Sequence, residues 1–288
     1  MNKFKNKVLL ITGGTGSFGK VLIDKLVNTN IAEIRVFSRD EKKQESLRLK
    51  YNNKKLKFVI GDVRNNDSID SALNDVDYVF HAAALKQVPT CEFFPNEAFQ
   101  TNVIGTNNVI QSSIKKNIKK LILLSTDKAV YPINVMGLTK SLAEKLVISN
   151  SLNLYKNNNT IICATRYGNV IASRGSVIPL FIDQIKKNKP LTITNYNMSR
   201  FIMSLEEAVE LVLFAFDKGK NGEIFVQNSP AAKIKTISEV VKEIFNYSKK
   251  DKIIGVRHSE KMFETLISSE EMNRCKKIKN FFTIKPDT

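Results

Sequence analysis

The chain has 288 residues, 42% hydrophobic and 25% charged, the composition of an ordinary globular protein with one large domain or two modest ones. Global disorder, a fibrous repeat and a disulfide-stapled miniprotein are excluded, and no run reaches the ~18 apolar residues of a membrane span. The formal charge of +17 rests on 36 lysines and nine scattered arginines, so it reads as generic solvent-facing charge, with no nucleic-acid partner expected.

Short β-rich runs alternate with helical stretches through the first half. Strands are predicted at 7–12, 33–38, 56–60, 78–82, 120–125 and 160–166, and helices near 17–29, 40–50, 67–74, 96–116 and 136–156. Continuous apolar runs such as VLLI and LILL suit strands buried on both faces of a parallel sheet. The alternation predicts an α/β fold: a Rossmann-like, doubly wound parallel sheet over residues 1–168. After residue 168 the rhythm loosens. Short strands at 191–194, 223–227 and 252–256 mix with helices near 178–187, 205–217 and 236–247. Residues 169–288 are therefore expected to form a smaller C-terminal substrate-binding lobe, partly interleaved with the sheet. Cys91, Cys163 and Cys275 lie far apart without metal-ligand spacing, and the first ten residues show no signal-peptide pattern. Both observations point to a reducing cytoplasm.

The first strand runs directly into Thr12-Gly13-Gly14-Thr15-Gly16-Ser17-Phe18-Gly19, and the first helix opens there. Glycines at 13, 16 and 19 allow a tight turn, bare backbone against a pyrophosphate, and a helix packed closely on the sheet. With strand before and helix after, this is a dinucleotide-binding fingerprint. The second strand ends in Ser38-Arg39-Asp40-Glu41-Lys42. Ser38, Arg39 and Lys42 suit a ribose 2′-phosphate, which favours NADP; Asp40 leaves NAD as the alternative. After the third strand, Asp62 and Val63 are placed to flank the adenine, with a helix cap as the other reading of Asp62.

Strand five ends in Ser125-Thr126-Asp127-Lys128, with Lys140 on the following helix. Strand ends of this kind face the ligand crevice. Here the chain resembles the extended short-chain dehydrogenase/reductases. More narrowly, it resembles the inverting UDP-N-acetylglucosamine 4,6-dehydratases, in the capsular-polysaccharide branch that couples dehydration to C5 inversion. The matching stretches are TGGTGSFGK (12–20), FSRDEKKQ (37–44), GDVRN (61–65), HAAALKQVP (81–89), TN (101–102), STDKAVYPIN (125–134), RYGNVIASRGSVIP (166–179) and RHSEKMFE (257–264). They span essentially the whole chain.

That resemblance implies oxidation of the sugar at C4, loss of water across C5 and C6, and reduction at C6, with a proton returned to C5 on the opposite face. It implies that Asp127 and Lys128 carry the proton chemistry, with burial lowering the lysine pKa. Ala82, Ala83, Lys86, Asn102 and Tyr167 are expected beside the cofactor. Lys86, Asn169, Arg174, Gly175, Ser176, Val177, Arg200, Arg257 and Glu260 are expected at the UDP-sugar. One departure is plain: where the superfamily has YxxxK, this chain has Met136 and Lys140. A thioether is no useful proton acceptor. Thr126, Lys128, a water or the more distant Tyr131 are the candidates to act at C4, and activity is expected without the tyrosine. His81 reads as a structural histidine. A homo-oligomer is expected. A UDP-hexose 4-epimerase is the competing enzyme reading, and an NADP-sensing binding protein the remote one.

Overall fold

The computed structural model describes residues 2–154, 158–171, 176–257 and 259–287. Arg174 and Gly175, assigned above to the sugar nucleotide, lie outside the described residues, as does His258.

The first half alternates β1 (Val8–Thr12), α1 (Ser17–Leu26), β2 (Glu33–Ser38), α2 (Glu41–Tyr51), β3 (Leu56–Ile60), α3 (Asn66–Ala72) and β4 (Tyr78–His81). It continues through α4 (Val88–Phe93), α5 (Pro95–Phe99), α6 (Gly105–Lys115), β5 (Lys120–Leu124), α7 (Val135–Leu152) and β6 (Ile161–Arg166). These six strands are the six predicted ones, trimmed by a residue at most at either end. The single helix expected over 96–116 is instead α5, a π-helical turn at Gln100–Ile104 and α6, with α4 before them.

The second half holds β7 (Asn169–Val170), α8 (Val177–Lys186), β8 (Thr192–Ile193), β9 (Ser199–Met203), α9 (Leu205–Lys218), β10 (Ile224–Gln227) and β11 (Ala231–Lys233). It ends with α10 (Ile234–Ile244), β12 (Lys252–Ile253), α11 (Ser269–Met272), β13 (Cys275–Ile278) and β14 (Phe281–Ile284).

One nine-stranded sheet runs in the order β13-β14-β10-β6-β5-β4-β1-β2-β3. Strands β1 to β6 and β10 pair in parallel, while β14 and β13 add an antiparallel edge. The sheet is the doubly wound one expected, with the strand order reversing between the parallel neighbours β1 and β4. Every residue of β5 is buried, as its LILL run requires. Apolar side chains of α1 and α9 pack on one face of the sheet and those of α3, α6 and α7 on the other. A separate small core lies under α8 and α10, built from Phe181, Leu191, Ile193, Met198, Ile234, Ile237 and Val241.

The strands expected at 191–194 and 252–256 shrink to a two-residue parallel pair, β8 with β12. Gly255, at φ +79°, turns the chain out of extended geometry. Strands β7, β9, β11, β13 and β14 were not foreseen. Lys276 and Lys277 of β13 are exposed, so that edge strand lacks an apolar run.

Candidate active site

The β1–α1 and β4–α4 connections bound a cavity of about 1000 Å³ at the strand C-termini, between the sheet and the α8–α10 layer. Gly13 adopts φ +65°, and a Cβ there would stand 2.8 Å from the Ala83 backbone nitrogen. The turn after β1 therefore lies flush against the β4 loop, as a dinucleotide cradle requires. Gly16 caps α1 with no side-chain hydrogen bond, so the helix presents its first N–H groups unmasked by a side chain. Thr15, Gly16, Ser17 and Phe18 line the cavity, with Ala82, Ala83 and Val63 opposite. Gly19 is not part of that wall; it is buried, and any Cβ would collide with Gly14. Asn102 is also removed from the wall. It is fully buried and bonds both backbone groups of Leu85, at 2.8 and 2.9 Å, and so holds the β4 loop in shape.

At the end of β2, Ser38 and Arg39 line the cavity. The Gln44 amide bonds Ser38 Oγ at 3.1 Å and fixes the strand end. Lys42 points to solvent on α2 and does not reach the cavity; the next lysine, Lys43, lines it. An α-helix turns each successive side chain by about 100°, and here the outward turn falls on Lys42. Asp40 caps α2, accepting from the Lys43 backbone at 2.9 Å, and pairs with the Lys43 ammonium. Arg39 stands 3.6 Å from Asp62. Burial would raise the Asp62 carboxyl, but hydrogen bonds from Arg64 outweigh it and hold the pKa below the usual value.

His81 is buried between two hydroxyls, with Nδ1 2.7 Å from Thr12 Oγ1 and Nε2 3.0 Å from Thr106 Oγ1. Thr106 donates to the Asn102 carbonyl at 2.6 Å, so it accepts from the ring, which places the proton on Nε2. Burial, then the charge of Lys140, lowers the ring pKa to about 3. This neutral histidine ties β1, β4 and α6 together.

Strand β5 delivers the chemical end. Thr126 Oγ1 donates to Asp127 Oδ1 at 2.8 Å. Lys128 Nζ donates to Asp127 Oδ1 and to Asn169 Oδ1, both at 3.0 Å, and lies 3.5 Å from Glu264 Oε1. Thr126, Lys128, Asn169 and Glu264 line the cavity; Asp127 is fully buried behind them. Burial pulls the Lys128 pKa down, but Asp127 and Glu264 more than compensate, and the net shift is upward. The expectation of a lysine softened by burial is thus reversed, because two carboxylates face the ammonium. Lys261, which was not anticipated, lies 3.9 Å from Glu264 and donates to the Val130 carbonyl at 2.5 Å. Both Glu264 and Lys261 sit in the RHSEKMFE stretch, where only Arg257 and Glu260 had been singled out.

Met136 is buried against Cys91 and Ala98 and lines the cavity, one turn before Lys140. Lys140 donates to the Leu124 carbonyl at 2.5 Å, and burial lowers its pKa to about 8. Tyr131 is half exposed and turned away, donating to Glu270 at 2.7 Å, so it does not replace the missing phenol. Tyr167 does line the cavity, with its pKa raised to about 12 by burial and by the charge of Asp127.

Toward the far end, Lys86, Ser176, Val177, Arg200, Arg257 and Glu260 line the same cavity. Arg200 is propped by the carbonyls of Ser199 and Lys261 at 2.7 and 3.1 Å. Ser176 caps α8, yet its buried hydroxyl has no hydrogen-bond partner among the described residues. Ser259 adopts φ +65°, the left-handed geometry a glycine takes readily.

A dinucleotide-type crevice joined to a polar chamber in one α/β unit defines a short-chain-dehydrogenase-like protein. The family described as polysaccharide biosynthesis protein matches residues 9–286, and the chain belongs to that family. A UDP-glucose 4-epimerase of Rickettsia bellii (strain OSU 85-389) is 56% identical over 288 residues, 99% of this chain and 84% of the relative. The crystal structure of Pen from Bacillus thuringiensis superposes with a TM-score of 0.95 at 39% identity, covering 98% of this chain and 90% of that one. DesIV, a dTDP-glucose 4,6-dehydratase from Streptomyces venezuelae solved with NAD and TYD bound, shares the fold with a TM-score of 0.81 at 16% identity, covering 92% of this chain and 90% of its own. The relatives thus fall among nucleotide-sugar epimerases and dehydratases. Among the described residues, no helix is long and apolar enough to cross a membrane.

Proposed function

We propose that this chain is an NADP-dependent enzyme that removes water across C5 and C6 of a UDP-N-acetylhexosamine, UDP-N-acetylglucosamine first, with inversion at C5, for bacterial polysaccharide synthesis. The observation that carries this reading is Lys128: an ammonium on the cavity wall, braced by Asp127 and Asn169, in the turn that follows β5. Inverting C4 alone needs no proton handled at C5 or O6. Elimination needs both.

The cofactor groups fit the crevice. The Gly13 turn and the α1 N-terminus suit the pyrophosphate, and Arg39 and Lys43 suit a 2′-phosphate. Asp40 also lines the cavity but is already engaged as a helix cap and by Lys43, while the neighbouring Arg39 favours NADP over NAD. When bound, the nicotinamide would take a hydride from sugar C4, whose hydroxyl proton leaves by way of Thr126 to water, and would return one to C6, after which water supplies the C5 proton on the opposite face. Lys140 holds the nicotinamide ribose. Once C4 is a ketone, the C5 hydrogen is acidic. Lys128 gives its proton to the departing O6, and the amine left behind takes the proton from C5. The side chain therefore ends as an ammonium again, and one water has left. Asp127 and Thr126 keep Lys128 aimed. Arg200, Arg257 and the α8 N-terminus at Ser176 are suited to the diphosphate. Exposed Phe93, Phe94, Phe99, Leu138 and Leu142 on α4, α5 and α7 support a homo-oligomer.

The names of the relatives favour a second reading, a UDP-hexose 4-epimerase. Incubation with UDP-N-acetylglucosamine and NADP, followed by mass spectrometry, separates the two. Loss of one water supports the dehydratase. An epimer of unchanged mass from UDP-glucose or UDP-N-acetylglucosamine, with no dehydrated product, supports the epimerase and overturns the first reading.

A further inference from the structure

An ammonium has three hydrogens to donate. Lys128 Nζ has three acceptors around it: Asp127 Oδ1 and Asn169 Oδ1 at 3.0 Å, and Glu264 Oε1 at 3.5 Å. The first two are fixed by their own surroundings. Asp127 is fully buried and shares Oδ1 with the Thr126 hydroxyl, and Asn169 belongs to β7. The third is different. Glu264 shares the cavity wall with Asn169 but makes the longest of the three contacts, and its buried Oε2 has no hydrogen bond, only the 3.9 Å ion pair with Lys261. A sugar oxygen approaching Lys128 from the cavity therefore meets the hydrogen that points toward Glu264.

We infer that Glu264 is the positioning residue of Lys128: it holds the ammonium charged and aimed in the resting enzyme and cedes its hydrogen to the substrate oxygen. This rests on the assignment of Lys128 to the proton chemistry proposed above. The charged groups around this ammonium are Asp127 on its own turn, Glu264 and Lys261 on the 259–267 segment, and Arg200 on β9. Only Asp127 and Glu264 stabilise the charge. With Asp127 sealed behind the wall, Glu264 is the counter-charge within reach of the cavity.

The test reads Lys128 directly. Folded enzyme is pulse-labelled with acetic anhydride across a pH series, and Lys128 acetylation is followed by peptide mass spectrometry, since only the neutral amine reacts. In Glu264→Gln the labelling midpoint should fall by ~1–3 pH units, the range for removing one nearby opposite charge. Glu264→Asp should restore most of the wild-type midpoint. For turnover, Glu264→Gln should lower kcat at least tenfold while the UDP-sugar Kd stays within about threefold. A labelling midpoint unchanged in Glu264→Gln overturns the inference, as does a Glu264→Asp midpoint no nearer the wild type than that of Glu264→Gln. The labelling uses no sugar, so a shifted midpoint in an enzyme that dehydrates nothing would leave the inference standing and remove the proposed reaction.

Discussion

Met136 and Lys140 stand one helical turn apart on α7, and both line the cavity. The first is a thioether packed against Cys91 and Ala98; the second donates to the Leu124 carbonyl at the end of β5. The pair keeps the geometry of a tyrosine–lysine dyad without its phenol. Lys140 therefore has no phenolic partner at this position, and its pKa reports burial.

That pKa has a consequence for stability. Burial lowers Lys140 to about 8 from the 10.5 of an ordinary lysine, so between those two pH values the unfolded chain binds more protons than the folded one. Stability must rise with pH across that window, because the cost of burying the charge, fully present below pH 8, is relieved. The difference is on the order of 3 kcal/mol. Urea unfolding of the cofactor-free protein at pH 7.5, 9 and ~10, compared with Lys140→Met, should show the wild type gaining on the variant as pH rises. Parallel curves would mean Lys140 is not titrating in this range.

Arg166 gives the clearest stability prediction. Its buried guanidinium bonds Glu144 of α7 at 2.6 Å and Glu271 of α11 at 2.8 Å, with a further bond to the Leu266 carbonyl at 2.8 Å. These carboxylates hold the guanidinium pKa above its ordinary value, although burial opposes them. Arg166→Met would leave two carboxylates facing each other without a counter-ion. The expected loss is ~3–5 kcal/mol, typical of breaking a buried pair. A urea midpoint within the error of wild type would show that the carboxylates find other partners.

These elements also show how far the sequence reads and where it stops. The β1–β6 strands are legible because both their faces are buried, so apolar runs mark them directly. The turn at Gly13 is legible because no residue with a Cβ fits there. Strands β13 and β14 are not: they pair with each other as a short hairpin whose outer strand is half lysine, and only the long-range pairing of β14 with β10 joins them to the sheet. The Arg166–Glu144–Glu271 cluster joins three distant segments, and nothing local announces it. Glu264 likewise reaches Lys128 across a sequence gap that no spacing rule covers. The placing of Lys42 is of another kind: the charged stretch is legible, but the helix phase that turns Lys42 outward and Lys43 to the cavity is not.

The cofactor preference is tested at Arg39. Its guanidinium is about half exposed and shared with Asp62, so part of its charge is already neutralised. Even so, a tenfold NADP preference needs only ~1.4 kcal/mol, within reach of one charge-assisted phosphate contact. Calorimetric titration should show wild type binding NADP more tightly than NAD, and Arg39→Ala losing most of that difference. Tighter binding of NAD by the wild type would overturn the preference.

Lys128 carries the decisive prediction. Removal of the C5 proton and departure of O6 need a group within about 2.6–3.2 Å of the transferred proton, or one water away. Lys128 is a cavity-wall donor ion-paired with two carboxylates at 3.0 and 3.5 Å, closer than Lys261 on the same wall at 3.9 Å from Glu264, while Tyr131 is tied to Glu270 and His81 is locked between Thr12 and Thr106. Lys128→Ala should still bind NADP and UDP-N-acetylglucosamine, because its main role lies in the transition state. Turnover should fall ~10²–10⁴-fold, the range of general acid–base catalysis. Exchange of the C5 hydrogen with deuterated solvent should cease, while oxidation at C4 persists as NADPH absorbance that no longer decays. Asp127→Asn should fall less steeply, because Asp127 is sealed behind Lys128 and acts through it. If Lys128→Ala exchanges C5 deuterium at the wild-type rate, the proton carrier is another group, and Glu264 is then the cavity-wall side chain to change next.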